Sequence, residues 1–210
     1  KITTVWKQVH RQLAKENKKF IFAAIRQSAR GRDYEEAIQW LVDAGLIHKS
    51  YLVDSPKFPL SAYADNTIFK IFLSDVGLLG AQSNLSPQVI IDGDALFTEF
   101  KGALTENYVA QELIATKNQE PYYWTSEGIA EVDFLLEDAH AIYPLEVKSG
   151  ESQKKKSLMV YGQKYVPSKL IRTSLMNVKH DGNVYNYPLY LISRFPLDQN
   201  DSKMNGAEKP

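Results

Sequence analysis

The sequence predicts an α/β protein, in which helices and a β-ribbon precede a central mixed β-sheet flanked by helices. Three observations support this fold class. Helical patterns of apolar residues give way to short β-rich runs twice along the chain. The sequence changes character from Leu96 onwards, after a stretch at residues 83–94 that looks like a connection between two such blocks. The 210 residues, 44% hydrophobic and 24% charged, have the composition of a chain that folds around its own core.

The first block resembles a small helical domain with a β-ribbon. Apolar residues recur at helical intervals over residues 2–16 and 34–44, and Gly45 is suited to the end of the second helix. Two strands are predicted at residues 46–53 and 58–63, separated by Ser55-Pro56. Helices followed by a ribbon are typical of a winged helix, with a helical domain and a simple hairpin as the alternative. We therefore expect a winged-helix-like domain over residues 1–85.

The second block has the order α, β, β, β, α, β and a final strand. A second domain is therefore expected over residues 86–197, followed by a disordered tail at 198–210. Helices are predicted at 96–116 and, after the third strand, in a stretch that ends at about residue 165. Strands are predicted at 122–125, 132–136, 141–147, 170–173 and 187–192.

Composition excludes several classes of protein. The absence of cysteine excludes disulfides, thiolate catalysis and Cys-ligated zinc, and it favours a cytoplasmic protein. The four histidines are scattered, and no apolar run reaches the roughly 20 residues that span a bilayer, so we expect no membrane partner. The chain opens on Lys1 rather than Met, which we interpret as a fragment of a longer protein.

The formal net charge of zero hides a segregated charge pattern. Residues 1–30 carry eight basic residues against one acidic residue, and residues 151–180 carry seven against one. Residues 127–150 hold six acidic residues and Lys148. Basic flanks around an acidic centre would suit the backbone of DNA. A solvated helix face, or a contact with a missing ATPase module, is the alternative for the first helix.

Two acidic residues lie on neighbouring predicted strands. Asp133 alternates with Val132 and Phe134, and Glu146 alternates with Leu145 and Val147, so each is expected on the polar face of its strand. The link at residues 137–140 is short enough for a hairpin. The two carboxylates can then converge, with Lys148 on the same face as Glu146.

Glu106 adds a third carboxylate from the long helix. Its helical neighbours are small or apolar, so the acid lies on a stripe that normally packs against a sheet. Three converging carboxylates repel one another, and oxygen ligands suit Mg²⁺ or Mn²⁺. Metal plus Lys148 is an arrangement that cleaves phosphodiesters. Each residue taken alone is more often an exposed or salt-bridging side chain.

These residues resemble the PD-(D/E)XK nuclease superfamily, and more narrowly a prokaryotic family of AAA+ type ATPases with an uncharacterised C-terminal region. The resemblance implies an ATPase module, a winged helix and a restriction-endonuclease-like domain. The segments that carry it are 34–47, 69–79, 102–109 and 144–150.

The resemblance also implies roles for individual residues. Glu106, Asp133 and Glu146 would be metal ligands, Lys148 the catalytic lysine, and Gln163 a supporting polar residue. No G-x-x-x-x-G-K-[ST] loop is present in the sequence, so we expect no nucleotide site in this chain.

Three hypotheses follow. The first is metal-dependent hydrolysis of DNA by the C-terminal portion of an AAA+ type ATPase. The second is a non-catalytic DNA-binding or regulatory module of that ATPase, with a vestigial nuclease core. The third, a winged-helix transcription factor, is weaker because the predicted recognition helix holds mainly acidic charge.

Overall fold

A computed structural model describes most of the chain. The described residues are 1–15, 19–25, 30–92, 98–117, 120–126, 130–139, 141–151 and 156–195. The expected disordered tail at 198–210 lies outside them. Within these ranges, none of the helices has the length and hydrophobicity of a membrane-spanning segment.

The described residues form helices and strands in an alternating order. The helices are α1 (Ile2–Trp6), α2 (Val9–Leu13), α3 (Gly31–Asp43), α4 (Val76–Gln82), α5 (Pro87–Asp92), α6 (Thr98–Lys117) and α7 (Lys156–Tyr165). The strands are β1 (Ile47–Leu52), β2 (Asp65–Leu73), β3 (Tyr122–Ser126), β4 (Ala130–Glu137), β5 (Ile142–Val147), β6 (Leu170–Ser174), β7 (Lys179–Asp181) and β8 (Val184–Pro188). Short 3-10 helices lie at Phe22–Ala24, Leu60–Tyr63 and Leu189–Arg194.

All eight strands belong to one mixed sheet with the order β2-β1-β3-β4-β5-β6-β8-β7. The pairs β1/β2, β3/β4, β4/β5 and β7/β8 are antiparallel, and β1/β3, β5/β6 and β6/β8 are parallel. The α/β class, with a mixed sheet flanked by helices, is therefore confirmed.

The sheet continues across the predicted boundary between the two blocks. Strand β1 pairs with β3 through Tyr51 opposite Tyr122 and Leu52 opposite Tyr123. The division into residues 1–85 and 86–197 stays a prediction. Residues from both blocks nevertheless share one hydrogen-bonded sheet.

Each face of the sheet carries its own apolar core. On the face we call the α6 face, buried residues of α1 to α3, β2 and α6 pack with Phe134, Leu145 and Val147. On the opposite face, the α7 face, Trp124, Val132 and Leu135 pack with Leu158 and Tyr161 of α7. A side chain at the centre of the sheet is therefore covered on either face.

Two predicted strands were misplaced. Residues 58–63 form no strand but include the 3-10 helix Leu60–Tyr63, and the second ribbon strand is β2. Pro59 interrupts the first run, whereas β2 ends in a run rich in β-branched and aromatic residues. The final predicted strand, 187–192, is wrong in the same way, because the strand ends at Pro188 and a 3-10 helix follows. The exposed strand β7 carries no apolar signal and was missed.

A β-bulge breaks the alternation predicted around Asp133. In the β3/β4 ladder, Tyr122 lies opposite Leu135 and Trp124 opposite Val132, so β4 contains one extra residue. As a result Val132 and Leu135 both face α7, while Phe134 packs on the α6 face. The extra residue lies at Asp133 and Phe134, where the regular alternation of side chains between the two faces is interrupted.

Asn107 of α6 ties the second block to the first. Its side chain is fully buried, accepts a hydrogen bond from Leu73 N at 2.8 Å and donates one to Leu73 O at 3.0 Å. This amide therefore satisfies both backbone groups at the end of β2. The contact fixes the height of α6 along the sheet, and with it the position of Glu106.

We predict that Asn107→Ala destabilises the fold by about 2–4 kcal/mol, because two buried backbone groups lose their partner. Urea unfolding followed by circular dichroism measures the change. Asn66→Ala, at an exposed position of the same strand, is the matched control and should stay within about 0.5 kcal/mol of wild type. Equal effects from the two substitutions would contradict the assignment.

Candidate functional site

Glu106 lies where its neighbours predicted, on the inner side of α6. Ala103, Val109 and Ala110 of the same helix are buried in the core of the α6 face. Glu106 itself is only 7% exposed. A carboxylate at such a position requires a compensating charge.

That charge comes from a residue that the sequence analysis did not select. Lys70 of β2 is completely buried, and its ammonium forms an ion pair with Glu131 of β4. The same ammonium lies 4.6 Å from the centre of the Tyr123 ring. Opposite Lys70 in the ladder is the small, buried Ser50 of β1, and the lysine reaches past it to β3 and β4.

Lys70 interacts with three carboxylates at once. Burial tends to lower its pKa, but the negative charges of Glu131, Glu106 and Asp133 outweigh burial and hold the pKa above the ordinary lysine value. Lys70 is therefore a permanent cation. We call these four residues the Lys70 group: Lys70 and the three carboxylates whose negative charge stabilises its ammonium.

The surroundings of the Lys70 group are strongly desolvated. Burial raises the pKa of the Tyr123 hydroxyl to about 12, although Lys70 acts in the opposite direction. Glu131 is partly open to solvent, with 34% of its side chain exposed. The group thus extends from a buried ammonium to a carboxylate at the surface.

Asp133 lies where strands β4 and β5 separate. Their ladder ends with Phe134 opposite Leu145, and beyond it Oδ2 of Asp133 accepts a hydrogen bond from Val147 N at 2.7 Å. The carboxylate thus takes over the backbone donor of β5 where the ladder stops. This contact holds Asp133 against the strand that carries Glu146.

Glu146 and Lys148 form a separate ion pair. Oε1 of Glu146 lies 2.8 Å from Nζ of Lys148, and Glu146 is 4% exposed. Its Oε2 is buried and accepts no hydrogen bond from the described residues. Leu145 and Val147 pack on the α6 face, so Glu146 between them points towards the α7 face. We call these two residues the Lys148 pair.

The three predicted ligands are therefore divided between two charge groups. Glu106 and Asp133 interact with Lys70, whereas Glu146 pairs with Lys148. Among the described residues, no group of three or more His, Cys, Asp or Glu side chains is arranged to hold a metal ion. As arranged, Glu106, Asp133 and Glu146 do not fit one shared divalent cation. Metal binding stays a prediction.

Gln163 is exposed on α7, whose inward face is formed by Leu158 and Tyr161. Its supporting role, inferred from the resemblance, stays a prediction.

Two buried cations were missed by the sequence reasoning. Lys70 interrupts the apolar run Ile68–Leu73, and Arg172 lies in the short strand β6 opposite Glu146. Arg172 is 5% exposed, and its Nε donates to Oδ1 of Asn186 at 3.0 Å. A lone cation inside an apolar strand is a signal of a buried ion pair, because such a residue is rarely buried without a partner.

The fold and the two charge groups define a single-sheet α/β module in which Lys70 and Lys148 partly balance four carboxylates. Residues 101–192 match the family model of a domain of unknown function, DUF4143, and residues 1–89 match that of another domain of unknown function, DUF8612. DUF4143 is found in the C-terminal region of AAA-ATPase-like proteins. No curated protein and no solved structure matches the chain.

We predict that Lys70→Met destabilises the fold by about 3–5 kcal/mol, because removing one partner leaves buried carboxylates uncompensated. Glu131→Gln should cost about 1 kcal/mol, since that carboxylate is one-third exposed and partly screened by solvent. Denaturant unfolding of both variants measures the difference. A larger effect for Glu131→Gln than for Lys70→Met would contradict the assignment of Lys70 as the centre of the group.

Proposed function

We propose that this chain is a non-catalytic DNA-binding module of a longer AAA-ATPase-like protein. The match to DUF4143 supports the association with an ATPase, because that domain occurs in the C-terminal region of such proteins. The charge compensation inside the sheet supports the absence of catalysis. An exposed basic surface on the N-terminal helices supports the binding of a polyanion.

The basic surface consists of Lys7, Arg11 and Lys15, which we call the basic ridge. The three residues are spaced four apart: Arg11 lies in α2, Lys7 in the helical turn that joins α1 to α2, and Lys15 two residues after the end of α2, and all three are exposed. Side chains four residues apart lie on one side of a helix. No acidic residue occurs in residues 1–15. The ridge is the observation that carries the DNA-binding proposal.

The helix that a winged-helix transcription factor would use is less suitable. Exposed positions of α3 include Glu35, Glu36 and Asp43, which would repel phosphates. The order α3, β1, β2 agrees with a winged helix, and we infer that this part of the fold acts mainly as a scaffold for the ridge.

The second half supports a nuclease-like core whose site is vestigial. Its order α6, β3, β4, β5, α7, β6 is the one expected of a restriction-endonuclease-like domain. Lys70 and Lys148, however, already face the carboxylates that a nuclease would use for metal. A carboxylate that is already paired with an ammonium gains less free energy from binding a divalent cation, because the two cations compete for the same oxygen atoms.

Salt dependence tests the ridge directly. Each neutralised phosphate contributes about 0.9 to the slope of log K against log salt concentration for duplex DNA. The triple variant Lys7→Ala, Arg11→Ala, Lys15→Ala should therefore lower the magnitude of the slope by about 2 to 3 and weaken binding of all sequences alike. Fluorescence anisotropy with a labelled duplex at several salt concentrations measures it.

The matched control is Lys57→Ala, which removes an exposed lysine outside the ridge. It should leave the slope unchanged. If the triple variant binds DNA with the same salt dependence as wild type, the ridge does not contact the phosphates. It would then contact another partner, such as the ATPase module, and the DNA-binding proposal would lose its basis.

Metal-dependent phosphodiester hydrolysis is the second candidate, and one observation favours it. Oε2 of Glu146 is a buried oxygen that accepts no hydrogen bond from the described residues, and Lys148 and Asp133 lie beside the same stretch of β5. In such a site Asp133 and Glu146 would hold Mg²⁺ or Mn²⁺, which would supply Lewis-acid stabilisation of the phosphate. Lys148 would orient the attacking water.

A cleavage assay separates the two candidates. We expect no cleavage of plasmid or single-stranded DNA by the wild type in the presence of Mg²⁺ or Mn²⁺, because Lys70 and Lys148 already partly balance the charge of the carboxylates. Cleavage that disappears in both Asp133→Ala and Lys148→Ala, and persists in Lys57→Ala, would replace the non-catalytic proposal with the nuclease. Cleavage that survives in all three variants indicates a contaminating nuclease.

A further inference from the structure

Arg172 of β6 is a buried cation on the α7 face of the sheet. It follows Leu170, which packs in the core of that face, by two residues, so both side chains point to the same face. Arg172 is 5% exposed, and none of the described carboxylates forms an ion pair with its guanidinium. A charged side chain is rarely buried to this extent without a partner of opposite charge.

The acid opposite Arg172 in the ladder already has a partner. Glu146 lies opposite Arg172 in the parallel β5/β6 pair, and its Oε1 lies 2.8 Å from Nζ of Lys148. One lysine and one glutamate balance each other, so the charge of Arg172 is left over. This row of side chains on the α7 face therefore carries one positive charge more than the carboxylate in it can balance.

Neutral groups hold the guanidinium of Arg172 in a fixed orientation. Its Nε donates to Oδ1 of Asn186 at 3.0 Å, and Oγ of Ser174 donates to the same oxygen at 2.7 Å. The Asn186 amide nitrogen donates to the carbonyl oxygens of Met176 and Asn177 at 3.1 and 3.0 Å. Both donors and both acceptor positions of this amide are thus used. The network binds Nε, and the described residues accept no hydrogen bond from the two terminal nitrogens of Arg172.

Arg172 lies towards the edge of the sheet at which ligands bind in α/β proteins. Strands β5, β6 and β8 are parallel to one another, so their carboxyl ends meet at one edge. Arg172 and Ser174 belong to the carboxyl half of β6, and Lys148 directly follows the end of β5. In open α/β sheets, ligands occupy the region outside the carboxyl ends of parallel strands.

We propose that Arg172 anchors a phosphate-binding site at this edge, with Lys148 as a second cation at its rim. A phosphate supplies the missing negative charge, and its oxygens accept hydrogen bonds from both terminal nitrogens of a guanidinium at once. Lys148 lies two residues beyond Glu146 on the same face, and 26% of its side chain is exposed. The bound group is a phosphate of the DNA backbone or a free phosphate.

This site is separate from the basic ridge. The helices that carry the ridge pack on the α6 face through Val5, Val9 and Leu13, whereas Arg172 lies on the α7 face. Phosphate binding at Arg172 can therefore be measured whether or not the ridge binds DNA.

Thermal unfolding of the full 210-residue chain in sodium phosphate, and in sodium chloride of equal ionic strength, tests the site. A ligand that binds only the folded chain raises the melting temperature as its concentration increases. We expect this phosphate-dependent rise to be smaller in Arg172→Met than in wild type. Arg194→Met removes an exposed arginine and is the matched control, which should respond as wild type does. The general stabilising effect of phosphate on folded proteins is common to all variants.

The chloride samples distinguish ligand binding from a purely structural role. Arg172 has no described ion pair to lose, and Asn186 keeps the hydrogen bond from Ser174, so Arg172→Met should melt close to wild type in chloride. Arg172→Lys keeps the charge and serves as the test if Arg172→Met does not fold. A lysine ammonium cannot bind Asn186 and offer two parallel donors to a phosphate. We expect the Kd for phosphate, fitted to the melting temperatures, to be weaker by at least about 10-fold in Arg172→Lys.

Duplex DNA distinguishes the two sources of phosphate. If the site holds a backbone phosphate, Arg172→Met lowers the magnitude of the slope of log K against log salt concentration by about 1. An unchanged slope assigns the site to free phosphate.

Equal phosphate-dependent stabilisation of wild type and of the folded Arg172 variants overturns the inference, whatever the slope. It leaves the DNA-binding proposal intact, because the ridge carries that proposal. An unchanged slope in the triple variant of the ridge removes the DNA-binding proposal and leaves the phosphate response of Arg172 as it is.

Discussion

The interaction on which the arrangement of this protein depends is the burial of the Lys70 ammonium among three carboxylates. An isolated ammonium cannot remain charged in a protein interior without a large free-energy cost. Lys70 remains charged because Glu131, Glu106 and Asp133 outweigh the effect of burial on its pKa. The ammonium in turn offsets part of the cost of burying Glu106, which is almost completely covered by the core of the α6 face. Without the acids, the buried ammonium would not be stable as a cation at this position.

This mutual dependence joins the two halves of the chain. Strand β1 pairs with β3, Asn107 binds the backbone of Leu73, and Lys70 pairs with Glu131, so backbone, side-chain amide and ion pair all link the same elements. A hydrogen-bonded sheet alone could tolerate small shifts of register in a polar region. A buried ion pair tolerates them poorly, because a displaced charge loses its partner. The ion pair therefore adds specificity to a sheet that is shared by residues from both sides of position 86.

The sequence predicted much of the fold because each signal was local. Helical spacing identified α6 and α7, apolar runs identified β1 and β3 to β6, and the short link at 137–140 predicted the β4/β5 hairpin. The errors also have local causes. The apolar run at 58–63 contains Pro59 and forms a 3-10 helix, and the bulge at Asp133 depends on the register with β3, which residues 130–137 do not encode by themselves.

For the candidate site, the sequence determined that Glu106, Asp133 and Glu146 lie in a helix and two adjacent strands, and that Glu146 and Lys148 share one face. Spacing within an element sets these relations, because helices and strands have fixed periods. Only the tertiary structure decided which charges meet. A bulge interrupted the alternation at Asp133, and the order of the sheet brought Lys70 past β1 to acids 36 to 63 residues away in the chain. Electrostatic compensation depends on distance in space, and that distance is set by strand order and register.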